Sequence, residues 1–324
     1  MIEITIAIPT YDRIELLEAS LASALNQSYK GKWKVIICDN SDKNLISIAR
    51  PSLLTLLNDA HVTYIHNEKN LGMVGNWNEC INNCESEYIT LLHDDDLLDP
   101  NFLKIINEMV QRNPGGLAYL GSNETFGDDR FLKFAHSKIE LLIREVITKL
   151  NSKLNIFQKK EKKISEVKLF YGNPTNGSVG VTFLLDGLKK IGGYKESVGG
   201  AADWNMLVRL FQEGTLYLSN TLVGKYRYEE NETLKPGVAM AFLEETKSTR
   251  KLLCDSRASN LKKYLFSICE NTQDKLQKER YILIEELKNK NSKKSYLRNS
   301  YKVFKFTLTR VFLRKILLIF SVIS

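Results

Sequence analysis

Cysteine and proline are scarce in this sequence, and neither forms a recognisable signature. The five cysteines include no Cys-x-x-Cys pair and no grouping with histidine. Because zinc sites normally need four ligands and disulfides need an oxidising compartment, we expect reduced core thiols and a cytoplasmic location. With only six prolines in 324 residues and 43% hydrophobic content, a disordered or fibrous chain is excluded.

Long apolar runs and the common nucleotide-binding motifs are also missing. No stretch approaches the ~20 apolar residues that cross a bilayer, and the best one, residues 316–323, is too short. Glu3 stands where a secretory signal would carry basic residues, so no signal peptide is expected. The loop after the first predicted strand lacks G-x-G-x-x-G, which argues against a nicotinamide enzyme, and the Walker pattern is absent too.

The positive charge of the chain is confined to its last part. The net charge is +8, but ten Lys/Arg and no Asp/Glu follow from Lys288 onward, so the preceding residues are slightly acidic. This distribution argues against a nucleic-acid partner. The tail alternates basic with aromatic residues before residues 316–323, which predicts an amphipathic segment lying on an anionic membrane surface. The alternative is a helix packed on the protein core or on another subunit.

Alternating strand and helix patterns predict the fold class. Isoleucine recurs with period two over residues 2–8, and the spacing then becomes helical from Ile14 to Leu25. Further strands are predicted at 35–38, 62–65, 88–92 and 117–121, with helices between them. This alternation is typical of an α/β protein with a mainly parallel sheet covered by helices, which binds ligands at the carboxyl ends of its strands.

Four carboxylates crowd one of these strand ends. Asp94, Asp95, Asp96 and Asp99 lie within six positions after the strand at 88–92. Their mutual repulsion is relieved by a divalent cation, and oxygen ligands suit Mg²⁺ or Mn²⁺. The alternative is a loop of helix-capping aspartates before Pro100.

Six segments stand in the order and spacing of a known family: IAIPTYDR (6–13), KVIICDNSD (34–42), NEKNLGMVGNWNEC (67–80), EYITLLHDDDLLDP (87–100), GGY (192–194) and Ala-Asp-Trp (202–204). They resemble family 2 glycosyltransferases of the GT-A (Rossmann-like) fold, and the similarity covers about residues 2–230. The resemblance implies inverting, hexosyl-type transfer of a sugar from a nucleotide diphosphate, usually UDP, to an acceptor hydroxyl. It also implies Mn²⁺ or Mg²⁺ on the diphosphate.

The resemblance and the residue patterns together predict a domain organisation. A GT-A nucleotide-sugar-binding and catalytic domain is expected over 1–236, and lysine content with helical spacing predicts a helical insertion at 130–170. That insertion is a lid, an acceptor-side insertion or a solvated helix pair. A helical extension, 237–324, carries the basic amphipathic tail from about 288. A processive polymerase is disfavoured because multiple membrane spans and a Gln-x-x-Arg-Trp motif are missing.

The resemblance assigns the nucleotide site to two strand ends and a turn. Pro9, Thr10 and Tyr11 match the loop that holds the base and ribose. Asp39 matches the carboxylate that pairs with the uracil edge, although it could instead cap the next helix. Asn70 and Gly72 match an Asn-x-Gly turn, which either shapes the nucleotide pocket or is a bare turn.

The metal motif departs from the family pattern at its first position. The family usually has Asp-x-Asp-Asp, and His93 replaces the first aspartate. Asp95 matches the principal metal-binding carboxylate, Asp96 lies beside it, and Asp94 is placed near the ribose. His93 is a weaker ligand, a hydrogen-bond donor to phosphate or a tolerated substitution, since a hard cation gains little from imidazole.

The resemblance places the catalytic base at Asp203. Ala202 replaces the glutamate that usually precedes this aspartate, which affects acceptor positioning and leaves the base in place. A single carboxylate is sufficient to take the proton of an attacking hydroxyl. Asp203 could alternatively be the N-cap of the following helix. Arg227 stands where the family often has an arginine near the diphosphate.

By family analogy, the expected acceptor is a glycan or a lipid-linked glycan in surface polysaccharide assembly. The enzyme would then act as a peripheral protein at the inner face of the membrane. A catalytically silent nucleotide-sugar-binding or membrane-scaffold protein of the same fold is the alternative, because fold resemblance does not guarantee chemistry.

Overall fold

The computed structural model describes residues 1–127, 161–175, 177–228 and 236–257, together with scattered helical positions between 263 and 313. The chain divides into two compact units. The first comprises Met1–Thr125, Lys160–Ile164 and Asn173–Arg227, and the second comprises Phe126–Lys159, Ser165–Gly172 and Tyr228–Ser324. Of the predicted helical insertion at 130–170, residues 130–160 lie outside the described residues, and so does the tail from 288 apart from four helical positions. Glu161–Lys163, within the predicted insertion, form a strand instead of a helix.

The first half of the first unit is a parallel sheet with helical connections. Its elements are β1 (Ile4–Thr10), α1 (Ile14–Leu25), β2 (Trp33–Asp39), a 3₁₀ turn (Leu45–Ser47), α2 (Pro51–Leu57), β3 (Val62–His66), α3 (Gly72–Asn82) and β4 (Tyr88–Leu91). The strands lie in the order β3-β2-β1-β4, and every pair among them is parallel. Every residue of β1 is buried, because helices cover both faces of a central parallel strand.

The later strands complete the sheet in antiparallel fashion. The remaining elements are β5 (Leu97–Leu98), α4 (Phe102–Arg112), β6 (Ala118–Gly127), β7 (Glu161–Lys163), α5 (Glu166–Phe170), β8 (Val181–Leu184), α6 (Leu185–Lys190), α7 (Ala202–Glu213), β9 (Leu216–Tyr228) and α8 (Pro236–Arg257). β8 lies between β4 and β6 and is antiparallel to both, while β5 and β7 pair antiparallel with β9. The α/β prediction is confirmed, but the sheet is mixed, since periodicity does not reveal strand direction.

The second unit contains helical packing of its own. The Ser165 hydroxyl caps α5 by accepting from the backbone N–H of Lys168. The ring of Phe170 stacks on Phe266 with 4.4 Å between centroids. Among the described residues, no helix has the length and apolar composition needed to cross a bilayer.

The strand register places the predicted site residues at one edge. Thr10 aligns with Asp39 across β1 and β2, and Asp39 aligns with His66 across β2 and β3. β4 runs parallel to β1 and ends at Leu91, just before the segment with Asp94, Asp95, Asp96 and Asp99, which we call the acidic loop. The loops after β1, β2 and β4 therefore share the carboxyl edge of the parallel strands.

A short glycine turn at residues 192–194 makes hydrogen bonds with both α3 and α7. The backbone N–H of Tyr194 donates to Asn78 Oδ1 at 2.7 Å, and Asn78 Nδ2 donates to the Tyr194 carbonyl at 2.9 Å. Gly193 has φ +64°, and a Cβ there would lie 2.5 Å from Asn78 Oδ1, so the close approach requires glycine. The buried Arg209 of α7 donates to the Gly193 carbonyl at 2.6 Å.

We expect Asn78→Ala to lower the free energy of unfolding by about 2 kcal/mol, because it leaves the Tyr194 backbone groups without partners. Urea denaturation measures the change. Asn58→Ala is the control, since Asn58 is exposed and its substitution should alter stability by less than about 0.5 kcal/mol. Equal losses in the two variants would contradict the role given to Asn78.

Candidate active site

The loop after β1 turns sharply and joins the acidic loop. Asp12 has φ +51°, a left-handed conformation that aspartate tolerates better than most residues, and its backbone N–H donates to Ser41 Oγ at 2.9 Å. The Thr10 hydroxyl donates to Asp94 Oδ2 at 2.8 Å. Tyr11 at the tip is 47% exposed. Pro9 and Thr10 are the last two residues of β1 and only Tyr11 lies in the loop that follows, while the nucleotide contacts of all three stay a prediction.

Arg13 lies between two carboxylates of the acidic loop. Its Nη1 is 3.4 Å from Asp94 Oδ1 and 3.2 Å from Asp95 Oδ2. Burial and the nearby Asp95 charge raise the pKa of Asp94, and the bond from Thr10 and the charge of Arg13 oppose this rise. Asp94 is therefore held by Thr10 and Arg13, and its predicted place near the ribose stays a prediction.

Asp39 is fully buried at the end of β2. Its Oδ1 accepts from the backbone N–H of Ser41 at 2.9 Å. Its Oδ2 accepts from the N–H of Leu45, which begins the 3₁₀ turn, and from the Tyr64 hydroxyl. Burial raises the pKa of Tyr64, and the hydrogen bond from its hydroxyl to Asp39 and the negative charge of Asp39 raise it further. The N-cap of this turn is Asn44 and that of α2 is Arg50, so the alternative in which Asp39 caps the next helix is wrong, although Asp39 binds the first N–H of the turn. Its pairing with uracil stays a prediction.

The predicted Asn-x-Gly turn is closed by side-chain amides. Asn70 Oδ1 accepts from Gly72 N at 2.8 Å and from Asn40 Nδ2 at 2.7 Å. Asn40 Oδ1 accepts from Leu71 N at 2.9 Å and from Asn67 Nδ2 at 3.1 Å. Gly72 has φ +72°, which favours glycine at this position. Asn70 and Gly72 thus form one turn fixed to the end of β2.

Asn76 extends this asparagine network to the first strand. Its Oδ1 accepts from Asn67, while its Nδ2 donates to the carbonyls of Cys38 and Thr10 at 2.9 and 3.3 Å. Sequence reasoning missed the roles of Asn40, Asn67 and Asn76. The available signal was the presence of four asparagines within residues 67–80, because buried amides need partners.

The acidic loop gathers three candidate metal ligands. Ligand atoms of His93, Asp95 and Asp96 lie within 4.8 Å of one another. Asp96 is 0% exposed, and its Oδ1 accepts from the backbone N–H of Arg227 at 2.8 Å. Burial, followed by the charge of Asp95, raises the pKa of Asp96. The structure therefore brings together the three residues predicted to bind metal.

Two buried atoms of this cluster lack hydrogen-bond partners among the described residues: Asp96 Oδ2 and His93 Nε2. His93 Nδ1 is 3.9 Å from Asp96 Oδ2, and the imidazole stacks on Trp77 with 5.1 Å between ring centroids. A buried carboxylate oxygen without a donor is costly unless a cation approaches it. The two carboxylates fit Mn²⁺ or Mg²⁺, while the imidazole contributes little to binding of such a hard cation.

Arg227 lies against the same loop from β9. Besides its backbone bond to Asp96, its Nε donates to the Asp95 carbonyl at 2.9 Å. The arginine is thereby held at the cation cluster, and the predicted contact with the diphosphate stays a prediction.

Asp203 lies in the first turn of α7. Its Oδ1 accepts from the Trp204 N–H at 2.6 Å, and its Oδ2 accepts from Asn173 Nδ2 at 2.7 Å. Burial raises the pKa of Asp203, while these two bonds and the nearby His93 oppose the rise. The N-cap of α7 is Ala201, so the alternative in which Asp203 caps this helix is wrong. Sequence reasoning did not find Asn173.

The sequence has relatives among characterised and uncharacterised glycosyltransferases. Residues 5–175 match the family described as "Glycosyl transferase family 2". The chain is 36% identical over 102 residues to the "Putative colanic acid biosynthesis glycosyl transferase WcaA" of Escherichia coli K12, covering 32% of this chain and 36% of the relative. It is 22% identical over 212 residues to an uncharacterized glycosyltransferase of Haemophilus influenzae, covering 65% and 62%.

A third relative is the UDP-Glc:alpha-D-GlcNAc-diphosphoundecaprenol beta-1,3-glucosyltransferase WfgD of Escherichia coli. It is 26% identical over 112 residues, which cover 34% of this chain and 42% of the relative. The chain thus spans between 36% and 62% of the lengths of these three relatives.

Solved structures share the fold. S. aureus TarS 1-349 in complex with UDP-GlcNAc matches with a TM-score of 0.61 and 14% identity over 84% of this chain and 72% of that chain. The mannosyltransferase PcManGT from Pyrobaculum calidifontis, in complex with GDP-Man and Mn²⁺, matches with a TM-score of 0.59 and 13% identity over 98% and 86%. Because the family match covers more than half of the chain and the mixed sheet is that of GT-A enzymes, the chain belongs to the family 2 glycosyltransferases.

Proposed function

We propose that the chain transfers a sugar from a UDP-sugar to an acceptor hydroxyl, with inversion at the anomeric carbon and without processive elongation. The observation that carries this proposal is the presence of three potential metal ligands, including an Asp96 oxygen without a partner among the described residues, together with a partly buried carboxylate, Asp203, whose pKa is raised. His93 connects the two because it belongs to the cluster and lies near enough to Asp203 to influence the pKa of that carboxyl. The UDP-GlcNAc complex of TarS and the UDP-Glc donor in the name of WfgD support UDP as the nucleotide.

The cation would be held by Asp95 and Asp96, with His93 as the third ligand. When bound, Mn²⁺ or Mg²⁺ neutralises the charge that develops on the departing diphosphate. Arg227, fixed to the same loop by its bonds to Asp95 and Asp96, adds a second positive charge for that leaving group.

Asp203 would act as the general base. Its carboxylate takes the proton of the acceptor hydroxyl while the oxygen attacks the anomeric carbon from the side opposite the diphosphate. The bond from the anomeric carbon to the diphosphate breaks, UDP leaves, and the new glycoside has inverted configuration. The raised pKa of Asp203 suits this role, because a more basic carboxylate accepts a proton more readily.

The nucleotide would occupy the edge formed by β1 and β2. Tyr11 offers an exposed aromatic ring, and Asp94 lies beside Thr10 where a ribose hydroxyl could bind. Asp39 Oδ1 accepts one protein hydrogen bond and retains a lone pair for a uracil N–H. The Asn70–Gly72 turn shapes the wall of this pocket.

The proposed acceptor is a lipid-linked glycan in surface polysaccharide assembly. The name of WfgD describes an acceptor on diphosphoundecaprenol, and the name of WcaA describes colanic acid biosynthesis. The basic tail would hold the enzyme peripherally at the inner face of the membrane, near such an acceptor.

A catalytically silent nucleotide-sugar-binding protein is the second candidate. The observations that favour it are His93 at the first metal position and Ala202 in place of glutamate before the base. Turnover distinguishes the two, since a silent protein would bind UDP-sugars without releasing UDP.

The first test concerns the cation. We expect Mn²⁺ to raise the Tm of the wild-type protein and to leave the Tm of Asp96→Asn unchanged. In EDTA, Asp96→Asn should melt at or above the wild-type temperature, because it removes a buried charge whose raised pKa makes ionisation unfavourable in the folded state. Asp99→Asn, in the same loop, is the control and should respond to Mn²⁺. A normal Mn²⁺ response in Asp96→Asn would place the cation elsewhere.

The second test concerns the base and the proposed reaction. UDP release from UDP-glucose and UDP-N-acetylglucosamine, with a panel of glycan acceptors, should fall by about 10²- to 10⁴-fold in Asp203→Asn, while UDP affinity is retained. Asp186→Asn is the matched control, because Asp186 lies in the first turn of α6 and is exposed. Wild-type turnover in Asp203→Asn would remove Asp203 as the base.

The third test concerns the tail. Full-length protein should sediment with phosphatidylglycerol vesicles at low salt, and high salt should release it, because the attraction between basic residues and an anionic surface is screened. A chain ending at Leu287 should bind UDP without sedimenting. Phosphatidylcholine vesicles are the control, and full-length protein that ignores anionic vesicles at low salt would exclude the membrane role.

A further inference from the structure

We propose that Asn173 is a positioning residue that fixes the orientation of the Asp203 carboxylate for proton abstraction. The inference rests on the proposed function, in which Asp203 is the general base. Asn173 lies in the loop between α5 and β8, and Asp203 begins a later helix, so the contact joins two separate parts of the first unit.

The orientation of the Asn173 amide is determined by its neighbours. Its Oδ1 lies 3.0 Å from the backbone nitrogen of Thr175 and 3.0 Å from the Thr175 hydroxyl. A backbone N–H can only donate, so the amide atom that faces it must be the carbonyl oxygen. The NH₂ group therefore faces Asp203 Oδ2 at 2.7 Å, and it also lies 3.2 Å from the Gly177 carbonyl.

Both oxygens of Asp203 are consequently held by N–H donors. The Trp204 N–H holds Oδ1 at 2.6 Å, and Asn173 holds Oδ2. Each oxygen keeps further lone pairs for an incoming hydroxyl. Two donors on different oxygens restrict rotation of the carboxyl plane, which a single bond from the adjacent residue would leave free.

A neutral amide is a better hydrogen-bond donor to a general base than a positively charged side chain would be. Among the described residues, His93 and the Tyr194 hydroxyl are titratable groups that also lie near enough to interact with Asp203. An arginine or lysine at position 173 would neutralise the carboxylate and lower its basicity. The neutral amide holds the carboxylate in place and preserves its negative charge.

The residue before Asp203 is Ala202, which cannot hydrogen-bond through its side chain, and this increases the importance of the bond from Asn173. The methyl side chain before Asp203 offers no polar atom to the site, and Ala202 is buried. Among the described residues, the side-chain hydrogen bond to Asp203 therefore comes from Asn173, on a different segment.

A purely structural role for Asn173 is the competing explanation, because its bonds to Thr175 form an Asx turn. Asn173→Asp separates the two roles. An aspartate oxygen can still accept from the Thr175 N–H and keep the turn, but it cannot donate to Asp203 and places a like charge beside it. Asn173→Ala removes both the turn and the hold.

The experiment measures UDP release from UDP-glucose and UDP-N-acetylglucosamine in the presence of Mn²⁺, together with the Kd for UDP and the Tm. We expect both Asn173 variants to lower kcat by about 10- to 100-fold with KM for the donor and Kd for UDP unchanged. Asn83→Ala is the matched control. It removes an amide with two side-chain hydrogen bonds at the end of α3, and its turnover should equal that of the wild type.

A double-mutant cycle with Asp203→Asn gives the decisive readout. If Asn173 acts through Asp203, adding Asn173→Ala to Asp203→Asn should cause no further loss of kcat. Independent, multiplying losses would overturn the inference, and so would wild-type kcat in Asn173→Asp. A wild-type protein that releases UDP from no nucleotide sugar would instead overturn the proposed function. Should Asn173→Ala fail to fold, Asn173→Asp, which retains the turn, provides the same comparison.

Discussion

The concentration of negative charge at the ends of the parallel strands is the constraint that organises this protein. Asp96 is buried beside Asp95 and Asp94, and burial together with like charges makes its ionised form unfavourable. Neighbouring groups reduce part of this cost: Arg13 pairs with two carboxylates, and the Arg227 backbone binds Asp96. The remaining cost falls on Asp96 Oδ2, which has no hydrogen-bond partner among the described residues, and a bound cation would offset it.

Helix α3 serves three parts of the site from one short segment. Asn76 binds carbonyls at the ends of β1 and β2, Trp77 stacks on His93, and Asn78 holds the Tyr194 turn. These consecutive residues face different directions because neighbours in a helix are about 100° apart. The carboxyl edge of β1 and β2, the cluster of His93, Asp95 and Asp96, and the turn at Tyr194 are therefore aligned by a single helix.

Local patterns in the sequence predicted much of this arrangement. The change from period two in residues 2–8 to helical spacing at Leu17 and Leu21 predicted β1 and α1, and family motifs predicted that His93, Asp95 and Asp96 come together. The antiparallel placement of β8 was not predicted, since strand direction depends on long-range pairing. The contacts of Asn173 with Asp203 and of Asn78 with Tyr194 join residues 30 and 116 positions apart, and no periodicity encodes them.

The ion pairs of Arg13 have a thermodynamic consequence for ligand binding. In the proposed function, a cation arriving alone would compete with a guanidinium that already contacts Asp94 and Asp95. A cation arriving with a diphosphate would bring negative charge to which the half-exposed Arg13 could turn, and the competition would be relieved. Binding of the two proposed ligands would then be linked, and by reciprocity each would raise the affinity for the other by the same factor. The resident arginine would thus favour a preassembled metal–nucleotide complex over either component on its own.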